Sequence, residues 1–420
     1  MSQESSTTAT HEFRGQAGPI FACMLGLACG IATLGLPYSI GVFIPHLRAQ
    51  FGWTFTQILL VQPIVTVAVV AMAATIGWIV DRHGARRPII VSQIGFGLGL
   101  CAMGAFTQSL FSFYLLYFLT ALAAGGTLAI TFTKLLSARF ERRRGLALGL
   151  ALSGTGLCSF LFQPYLAWVV AHYGWRVGYF AIGLLPICLA LPATLIWLHD
   201  VKPDARMLRD DPKRPPAMAL RGIPLQQALH DRRFWALAVV FFLFSGVITG
   251  VLNNFVPILI EKGYAPMRAA EIAGVFGLAV IVGRIGIGAL IDRYWAPLVG
   301  LCFFVPSAIG IALLAGPAQG TLLTIFCVAL AGLAAGAEVD LMAYLVSRYF
   351  GLLDFGKIYA AIYVAFALGP GLCVPLFAWS RDHYGSYSVG LYGVASGMLL
   401  ATLVLMMVGR YPDEFTPARE

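Results

Sequence analysis

Apolar runs of about 20 residues, the length an α-helix needs to cross a bilayer, alternate with short polar breaks along almost the whole chain. The alternation predicts twelve membrane-spanning helices, which we number spans 1 to 12 in chain order. They are predicted at residues 18–44, 55–80, 88–107, 111–136, 145–170, 177–198, 234–260, 269–291, 297–316, 321–346, 358–379 and 388–409. The sequence therefore predicts an all-α membrane protein.

The composition agrees with this pattern. Hydrophobic residues make up 59% of the 420 residues and charged residues 11%, against about 25% charged residues in soluble domains. The mean hydropathy is +0.82. A soluble protein of this length could not bury so much apolar surface, so the composition excludes that class.

The net charge of +9 reflects membrane topology rather than a nucleic-acid partner. If the N-terminus is cytoplasmic, most of the 28 Lys and Arg fall in cytoplasmic segments, and two, Lys134 and Arg284, fall inside apolar runs. This asymmetry follows the positive-inside rule and predicts that both termini are cytoplasmic. We expect a multi-pass protein of the cell membrane, in a bacterium the inner membrane, with lipid around it and no obligate protein partner.

A proline-rich, charged segment divides the chain into two halves that repeat each other. The predicted parts are a disordered tail 1–16, a six-helix bundle 17–198, a linker 199–233, a second six-helix bundle 234–409 and a tail 410–420. Gly77-x-x-x-Asp81-Arg82 recurs as Gly288-x-x-x-Asp292-Arg293 after 211 residues. Two six-helix bundles related by a pseudo-two-fold axis are typical of transporters whose site lies between the halves at mid-membrane.

Arg284 lies inside span 8, about two turns before the charged end of that run. A cation at this depth costs about 2.5–3.5 kcal/mol on insertion scales, so the fold has to offer it a partner, a wet cavity or a substrate. Guanidinium binds a carboxylate through two parallel hydrogen bonds and stays charged. The sequence thus predicts a central cavity in which Arg284 binds an organic anion.

Other polar and aromatic side chains in the spans are candidates to line the same cavity. The predicted substrate-binding residues besides Arg284 are Tyr38, Thr131, Lys134, Asn253, Asn254, Tyr359 and Tyr363. Two alternatives stay open. Lys134 lies near the end of span 4, where its long side chain can reach the headgroups. The face formed by Tyr359, Tyr363 and Phe366 can serve helix packing instead; as a pocket wall it would favour a compact or aromatic acid over a sugar.

Glu338 and Asp340 in span 10 are the candidate proton-coupling groups. Residues two apart on a helix point about 200° from each other, so at most one of them is expected to face the cavity fully. One of the two can compensate Arg284 in the empty carrier and release it when protonated. The alternative is a role in span packing or at the cytoplasmic gate.

The loop after span 2 resembles a known family signature. It looks like the loop between spans 2 and 3 of the major facilitator superfamily and reads Gly77-x-x-x-Asp81-Arg82-x-Gly84-x-Arg86-Arg87. A degraded copy in the second half ends in Asp292-Arg293. The resemblance covers roughly residues 15–410. It implies that these residues act in the conformational cycle and do not contact the substrate.

Within that superfamily the chain is most similar to the monocarboxylate porters and the oxalate–formate antiporter. The similar stretches include Tyr38-Ser-Ile-Gly41, Tyr173-Gly-Trp-Arg176, Gly283-Arg284 and Arg348-Tyr-Phe-Gly351. The resemblance implies that Arg284 is the anion-binding arginine of span 8. The chain departs from these relatives at Val280, where animal monocarboxylate transporters carry an Asp. It also lacks their lysine in span 1, and Lys357 lies at the edge of span 11 rather than inside it.

We therefore expect a secondary active transporter of small organic anions. Its expected substrates are of the monocarboxylate type and include aromatic or hydroxy acids. It is expected to move a proton together with the acid by alternating access. An anion exchanger or a proton-coupled drug exporter remains the alternative among carriers. A membrane enzyme is disfavoured because no nucleotide loop, metal-ligand spacing or nucleophile constellation occurs, and the eight Cys show no metal spacing. A non-transporting sensor is disfavoured by the short linker and tails. No cofactor or metal is predicted.

Overall fold

A computed structural model describes residues 17–36, 38–137, 144–199, 222–291, 293–317, 320–351 and 353–412. The predicted tail 1–16, most of the predicted tail 410–420 and most of the predicted linker lie outside these ranges. The helices of the first half are Ala17–Ala28, Ile31–Gly35 and Ile40–Phe51 (span 1), Phe55–Leu59 and Val61–His83 (span 2), Arg86–Phe106 (span 3), Leu110–Ala123, Gly125–Thr127 and Ala129–Ser137 (span 4), and Arg144–Leu185, Pro186–Ala190 and Leu191–Trp197 (spans 5 and 6). Those of the second half are Leu225–His230 before the membrane, Arg232–Glu261 (span 7), Pro266–Ile291 (span 8), Ala296–Ala315 (span 9), Thr321–Phe350 (span 10), Phe355–Tyr384 (span 11) and Ser388–Met407 (span 12).

The twelve predicted spans are all present in the described part of the chain. Ten helical segments there are long and apolar enough to cross a membrane. One of them, Gly149–Trp197, holds spans 5 and 6, because the backbone reverses at Gly174, whose φ of +84° is readily adopted by glycine alone. Span 4 is divided by a short 3₁₀ turn into two shorter helices. The predicted all-α fold of two six-helix bundles is confirmed.

The two bundles pack against each other mainly through spans 1 and 7, spans 2 and 11, and spans 5 and 8. Small residues allow the closest approaches, as membrane helices commonly require. A Cβ atom on Gly277 of span 8 would lie 2.2 Å from the carbonyl oxygen of Gly156 in span 5, and one on Gly41 would lie 2.9 Å from that of Asn253. These crossings set the distance between the walls of any central cavity.

The molecule has a linker end, where span 6 stops and span 7 begins, and an opposite far end. At the far end, Asp382 at the end of span 11 accepts hydrogen bonds from the first helix of span 2: the Phe55 N–H at 3.1 Å and the Thr56 N–H and Oγ1–H at 2.6 Å each. The Phe55 ring also meets the Tyr387 ring edge-on at a centroid distance of 5.5 Å. The halves are therefore joined at the far end by polar and aromatic contacts.

The end of the linker is attached to the loop between spans 10 and 11. The Ile223 N–H donates to the Phe350 carbonyl at 3.0 Å, and the Leu225 N–H donates to Asp354 Oδ2 at 3.0 Å. The Leu225 hydrogen bond and the Lys357 ammonium, 2.9 Å from Oδ1, lower the pKa of Asp354. This attachment fixes the position at which span 7 enters the bundle.

Candidate functional site

A cavity of about 330 Å³ lies between the two halves. Both bundles contribute to its wall, through spans 1, 2, 4 and 5 of the first half and spans 7, 8, 10 and 11 of the second. Its polar or titratable lining residues are Tyr38, Gln62, Thr66, Thr155, Ser245, Thr249, Arg284, Glu338 and Tyr363. An otherwise apolar cavity with a few converging polar groups is the usual form of a small-molecule site.

Arg284 is brought to this cavity by a close crossing of spans 8 and 10. A Cβ atom on Gly283 would lie 2.3 Å from the Leu333 carbonyl oxygen, and one on Gly336 would lie 2.2 Å from the Val280 carbonyl oxygen and 2.9 Å from the Arg284 nitrogen. The two backbones can approach this closely only because both positions are glycine. The crossing places Arg284 next to the acidic residues of span 10.

The hydrogen-bonding capacity of the Arg284 guanidinium is incompletely used. Its Nε lies 3.5 Å from Asp340 Oδ2, which is an ion-pair distance but too long for a good hydrogen bond. Nε and Nη1 are both buried, and neither has a hydrogen-bond acceptor within the described residues. A buried charged donor without an acceptor is costly. Arg284 thus presents unsatisfied donors at the wall of the cavity, where a carboxylate could accept them.

Glu338 and Asp340 occupy different environments around Arg284. Glu338 lines the cavity, is 9% exposed, and has an Oε2 atom that is buried with no hydrogen-bond partner among the described residues. Asp340 makes the ion pair with Arg284; its side chain is 33% exposed and is not part of the cavity lining. Of the two, Glu338 lines the cavity and Asp340 does not, and their part in proton coupling stays a prediction.

Aromatic side chains form two opposing parts of the wall. Tyr38 of span 1 lies beside Phe276 of span 8, with ring centroids 6.2 Å apart. On span 11, Tyr363 stacks on Phe366 at 5.4 Å, and both line the cavity. Tyr359 stacks on Tyr363 at 6.1 Å but lies one turn outside the lining. A flat ring could therefore be accommodated between aromatic surfaces near Arg284.

Five polar lining residues were not among the predicted substrate-binding residues: Gln62, Thr66, Thr155, Ser245 and Thr249. Gln62 and Thr66 are both in span 2, and Thr155 is in span 5. The four-residue spacing of Gln62 and Thr66 puts them on one helical face, which is the signal that could have identified them. Together with Ser245 and Thr249 of span 7, they supply hydroxyl and amide groups that can bind the polar part of a substrate.

Several sequence candidates are placed away from the cavity lining. Asn253 and Asn254 are completely buried; the Asn253 Nδ2 donates to Gln62 Oε1 at 3.2 Å, and the Asn254 Nδ2 donates to the Gly250 carbonyl at 2.9 Å. Thr131 is 1% exposed and does not line the cavity. The Lys134 side chain lies outside the described part. A substrate role for these four residues stays a prediction.

The signature loop lies at the linker end, apart from the cavity. Gly84 ends the helix of span 2 with φ of +82°, and the Arg86 Nη2 donates to the Leu195 carbonyl at 3.0 Å, which ties the loop to the end of span 6. Of the other predicted gating residues, Arg82, Arg87 and Arg293 are exposed, whereas the surroundings of Gly77 and Asp81 and the whole of Asp292 lie outside the described residues. None of the described members lines the cavity.

The described residues offer no metal centre. They contain no group of three or more His, Cys, Asp or Glu placed to hold a metal ion. The polar groups of the cavity are a guanidinium, a carboxylate, hydroxyls and one amide. This set can bind an anion and exchange a proton.

Comparison with known proteins identifies the family of this chain. The model of the Major Facilitator Superfamily matches residues 21–372. Monocarboxylate transporter 11 of Mus musculus is 29% identical over 405 residues, covering 91% of this chain and 86% of the relative. Monocarboxylate transporter 13 of Bos taurus is 27% identical, covering 88% and 84%. The gallate transporter of Pseudomonas putida is 28% identical over 371 residues, covering 78% and 79%.

Solved structures with the same fold are more distant in sequence. The inward-facing and occupied form of a bacterial homologue of the human lysosomal transporter Spinster aligns with a TM-score of 0.70 at 15% identity, covering 93% of this chain and 95% of that one. The nucleoside transporter NupG, in a mutant form, aligns with a TM-score of 0.72 at 13% identity, covering 94% and 100%. At such identities the likeness concerns the fold alone.

Proposed function

The chain belongs to the Major Facilitator Superfamily, and on that premise we propose that it is a proton-coupled transporter of small organic monocarboxylates. It is a multi-pass membrane transporter and not an enzyme, because its family and its relatives are transporters. The observation that carries the proposal is the Arg284 guanidinium, which borders the cavity between the halves with two buried donor atoms that have no acceptor among the described residues.

The carboxylate of the substrate is the partner that this guanidinium fits best. It can accept two parallel hydrogen bonds from Arg284 and satisfy the donors that Asp340 leaves unpaired. Among the described residues, Arg284 is the one cation in the cavity lining, and the rest of that lining is largely uncharged, so the proposal is for a monocarboxylate. A dicarboxylate would place its second charge against described lining groups that are apolar or carry a hydroxyl and that include no second cation.

The remaining lining favours an aromatic or hydroxylated acid. Tyr38, Phe276, Tyr363 and Phe366 offer ring surfaces, and aromatic pairs gain about 0.5–1.5 kcal/mol beyond the apolar area they bury. The hydroxyls of span 7 and the amide of Gln62 can bind ring hydroxyl groups. The relative named for gallate transport from Pseudomonas putida supports this choice.

We propose that transport is driven by a proton gradient and proceeds by alternating access. One of the two carboxylates beside Arg284 takes up the proton that accompanies the acid, and the halves rock around the central site. The excess of Lys and Arg in the segments around the linker supports a cytoplasmic position for the linker end and for both termini. Exchange of one organic anion for another is the alternative that the transport assay would separate.

The test is uptake into proteoliposomes that hold the purified protein. We expect labelled benzoate, 4-hydroxybenzoate or lactate to accumulate when the pH gradient is imposed, whereas glucose and uridine do not. Arg284→Gln should abolish this accumulation, because it removes the cation. Arg268→Gln is the matched control, since Arg268 lies on the same helix but pairs with Glu271 at the exposed surface. Failure of all three acids to enter, or full uptake by Arg284→Gln, would contradict the proposal.

A further inference from the structure

The two acidic residues of span 10 differ in a way that separates their roles. We propose that Glu338 is the proton-binding group of the transport cycle and that Asp340 stays ionised as the counter-ion that positions Arg284. This inference rests on the proposed function and deepens it, because it assigns the coupled proton to one side chain and excludes the other. The observation that supports this assignment is the different position of each carboxylate relative to Arg284 and to the cavity.

Asp340 has what an ionised carboxylate needs. Its Oδ2 lies 3.5 Å from the Arg284 Nε, and a third of its side chain is exposed. A carboxylate that keeps both water and a cation remains charged at little cost. The ion pair is long and poorly aligned, so Asp340 holds the guanidinium near the cavity without occupying its donors. It acts on the substrate through Arg284, as a positioning residue.

Glu338 is supported less well as an ion. It is 9% exposed, and its Oε2 has no hydrogen-bond partner in the described part of the chain. Burying an ionised carboxylate without hydrogen bonds costs several kcal/mol, so the charge of Glu338 in the empty carrier depends on the field of the nearby Arg284. Because Glu338 lines the cavity, a proton can reach it from the same water that admits the substrate.

Around Glu338, the described residues provide one cation, Arg284, together with several neutral or negatively charged groups. Arg284 of span 8 lies within electrostatic range of it, as do the phenols of Tyr38 in span 1 and Tyr363 in span 11. Asp340 lies two residues away on the same helix. Spans 7 and 9 also pack on span 10. Span 7 carries no charged residue within its apolar run, and the titratable group of span 9 is the exposed Cys302 thiol.

Binding of the acid at Arg284 is then coupled to proton uptake at Glu338 by electrostatic interaction alone. A substrate carboxylate on the unsatisfied donors of Arg284 adds a negative charge beside Glu338 and uses the field of the guanidinium. A nearby like charge favours the protonated form of a carboxyl group, so Glu338 takes up one proton as the anion binds. By linkage, protonated Glu338 equally favours the anion. The loaded site thus keeps the net charge of the empty one.

The closing experiment measures protons taken up per acid bound. Isothermal titration of 4-hydroxybenzoate, with lactate as a second probe, into purified protein is repeated in buffers of different ionisation enthalpy. We work at pH values where the added acid is fully ionised. We expect about one proton per acid for the wild type and for Asp340→Asn, and about zero for Glu338→Gln. The affinity of the wild type should weaken by up to about tenfold per pH unit as the pH rises, the limit for linkage to one proton, and that of Glu338→Gln should not change.

Transport supplies the second readout. Glu338→Gln should still exchange labelled for unlabelled acid across the proteoliposome membrane, while losing accumulation driven by the pH gradient. If that variant does not fold, Glu338→Asp keeps a titratable group and should retain proton uptake. Uptake of a proton by Glu338→Gln, its loss in Asp340→Asn, or an uncoupled Glu338→Asp would overturn the assignment. Absence of acid binding to the wild type would instead contradict the proposed function.

Discussion

Arg284 is bound to the rest of the site by one long ion pair, and this looseness is what makes it available. A guanidinium fully paired with Asp340 would have to lose two good hydrogen bonds before it could bind a substrate. Because the Nε atom lies 3.5 Å from Asp340 Oδ2, the guanidinium gives up little when it binds a substrate. Its Nε and Nη1 donors have no acceptor in the described residues. In the proposed function, the preference of the site for a carboxylate over water comes from these unmade hydrogen bonds.

Arg284→Lys tests whether the shape of the cation matters as well as its charge. Lysine keeps the positive charge but offers a single ammonium in place of the planar fork. Loss of one charge-assisted hydrogen bond, worth about 1.5–3 kcal/mol, should weaken binding of 4-hydroxybenzoate by about 10- to 100-fold. The measurement is the dissociation constant by titration calorimetry, with Arg268→Lys as the control at the exposed start of span 8. An affinity equal to that of the wild type would exclude two-point recognition.

At this scale the sequence located the charges but not their partners. Arg284 and Glu338 are conspicuous because ionisable residues inside apolar runs are rare and expensive. Whether Glu338 or Asp340 faces the cavity depends on the rotation of span 10 about its own axis, which the Gly336 contact fixes. The buried position of Asn253 against Gln62 depends on how the two halves meet. Such a contact, 191 residues apart in the chain, leaves no local pattern.

Among the described glycines, those at the crossing of spans 5 and 8 leave the least room for a side chain between the halves. The carbonyl oxygens of Gly156 and Gly277 each lie where the side chain of the other would begin. Backbone atoms cannot move aside as a flexible side chain can, so the crossing tolerates no Cβ atom without a shift of a whole helix. The sequence contains both glycines, but with 46 glycines in the chain their pairing could not be predicted from the pattern.

Gly277→Ala should therefore separate the halves at this crossing. Overpacking a tight contact typically costs about 1–3 kcal/mol, and we expect a lower melting temperature and slower uptake of 4-hydroxybenzoate. Gly286→Ala is the matched control on the same helix, because a Cβ atom there would meet Phe303 at an ordinary 3.4 Å. Both changes raise helix propensity equally. If the two variants were equally stable and active, the crossing would not limit the approach of the halves.

The whole molecule is held in a conformation in which the halves meet at the far end. Asp382 caps the first helix of span 2 from the opposite half, although Thr54 already caps that helix within its own half. The second cap therefore exists in this arrangement of the halves and would be lost when they rock apart. The repeat in the sequence predicted two bundles around a central site. It could not predict this contact, because Asp382 has no capping pattern near it in the chain.

Asp382→Ala should shift the population toward a form that is open at the far end. Loss of a helix-capping side chain costs about 0.5–2 kcal/mol, which corresponds to a change of about two- to thirtyfold in the ratio of the two forms. Thr249→Cys places a thiol in the cavity wall, and its labelling by a membrane-impermeant maleimide from the far-end side should accelerate in the Asp382→Ala background. The same background without Thr249→Cys corrects for the native thiols. Glu271→Gln, which removes a carboxylate from an exposed pair on span 8 at the same end, should leave the rate unchanged. Equal labelling rates in all three backgrounds would mean that the energy holding the far end closed lies in the apolar and aromatic contacts, such as that of Phe55 with Tyr387, and not in this cap.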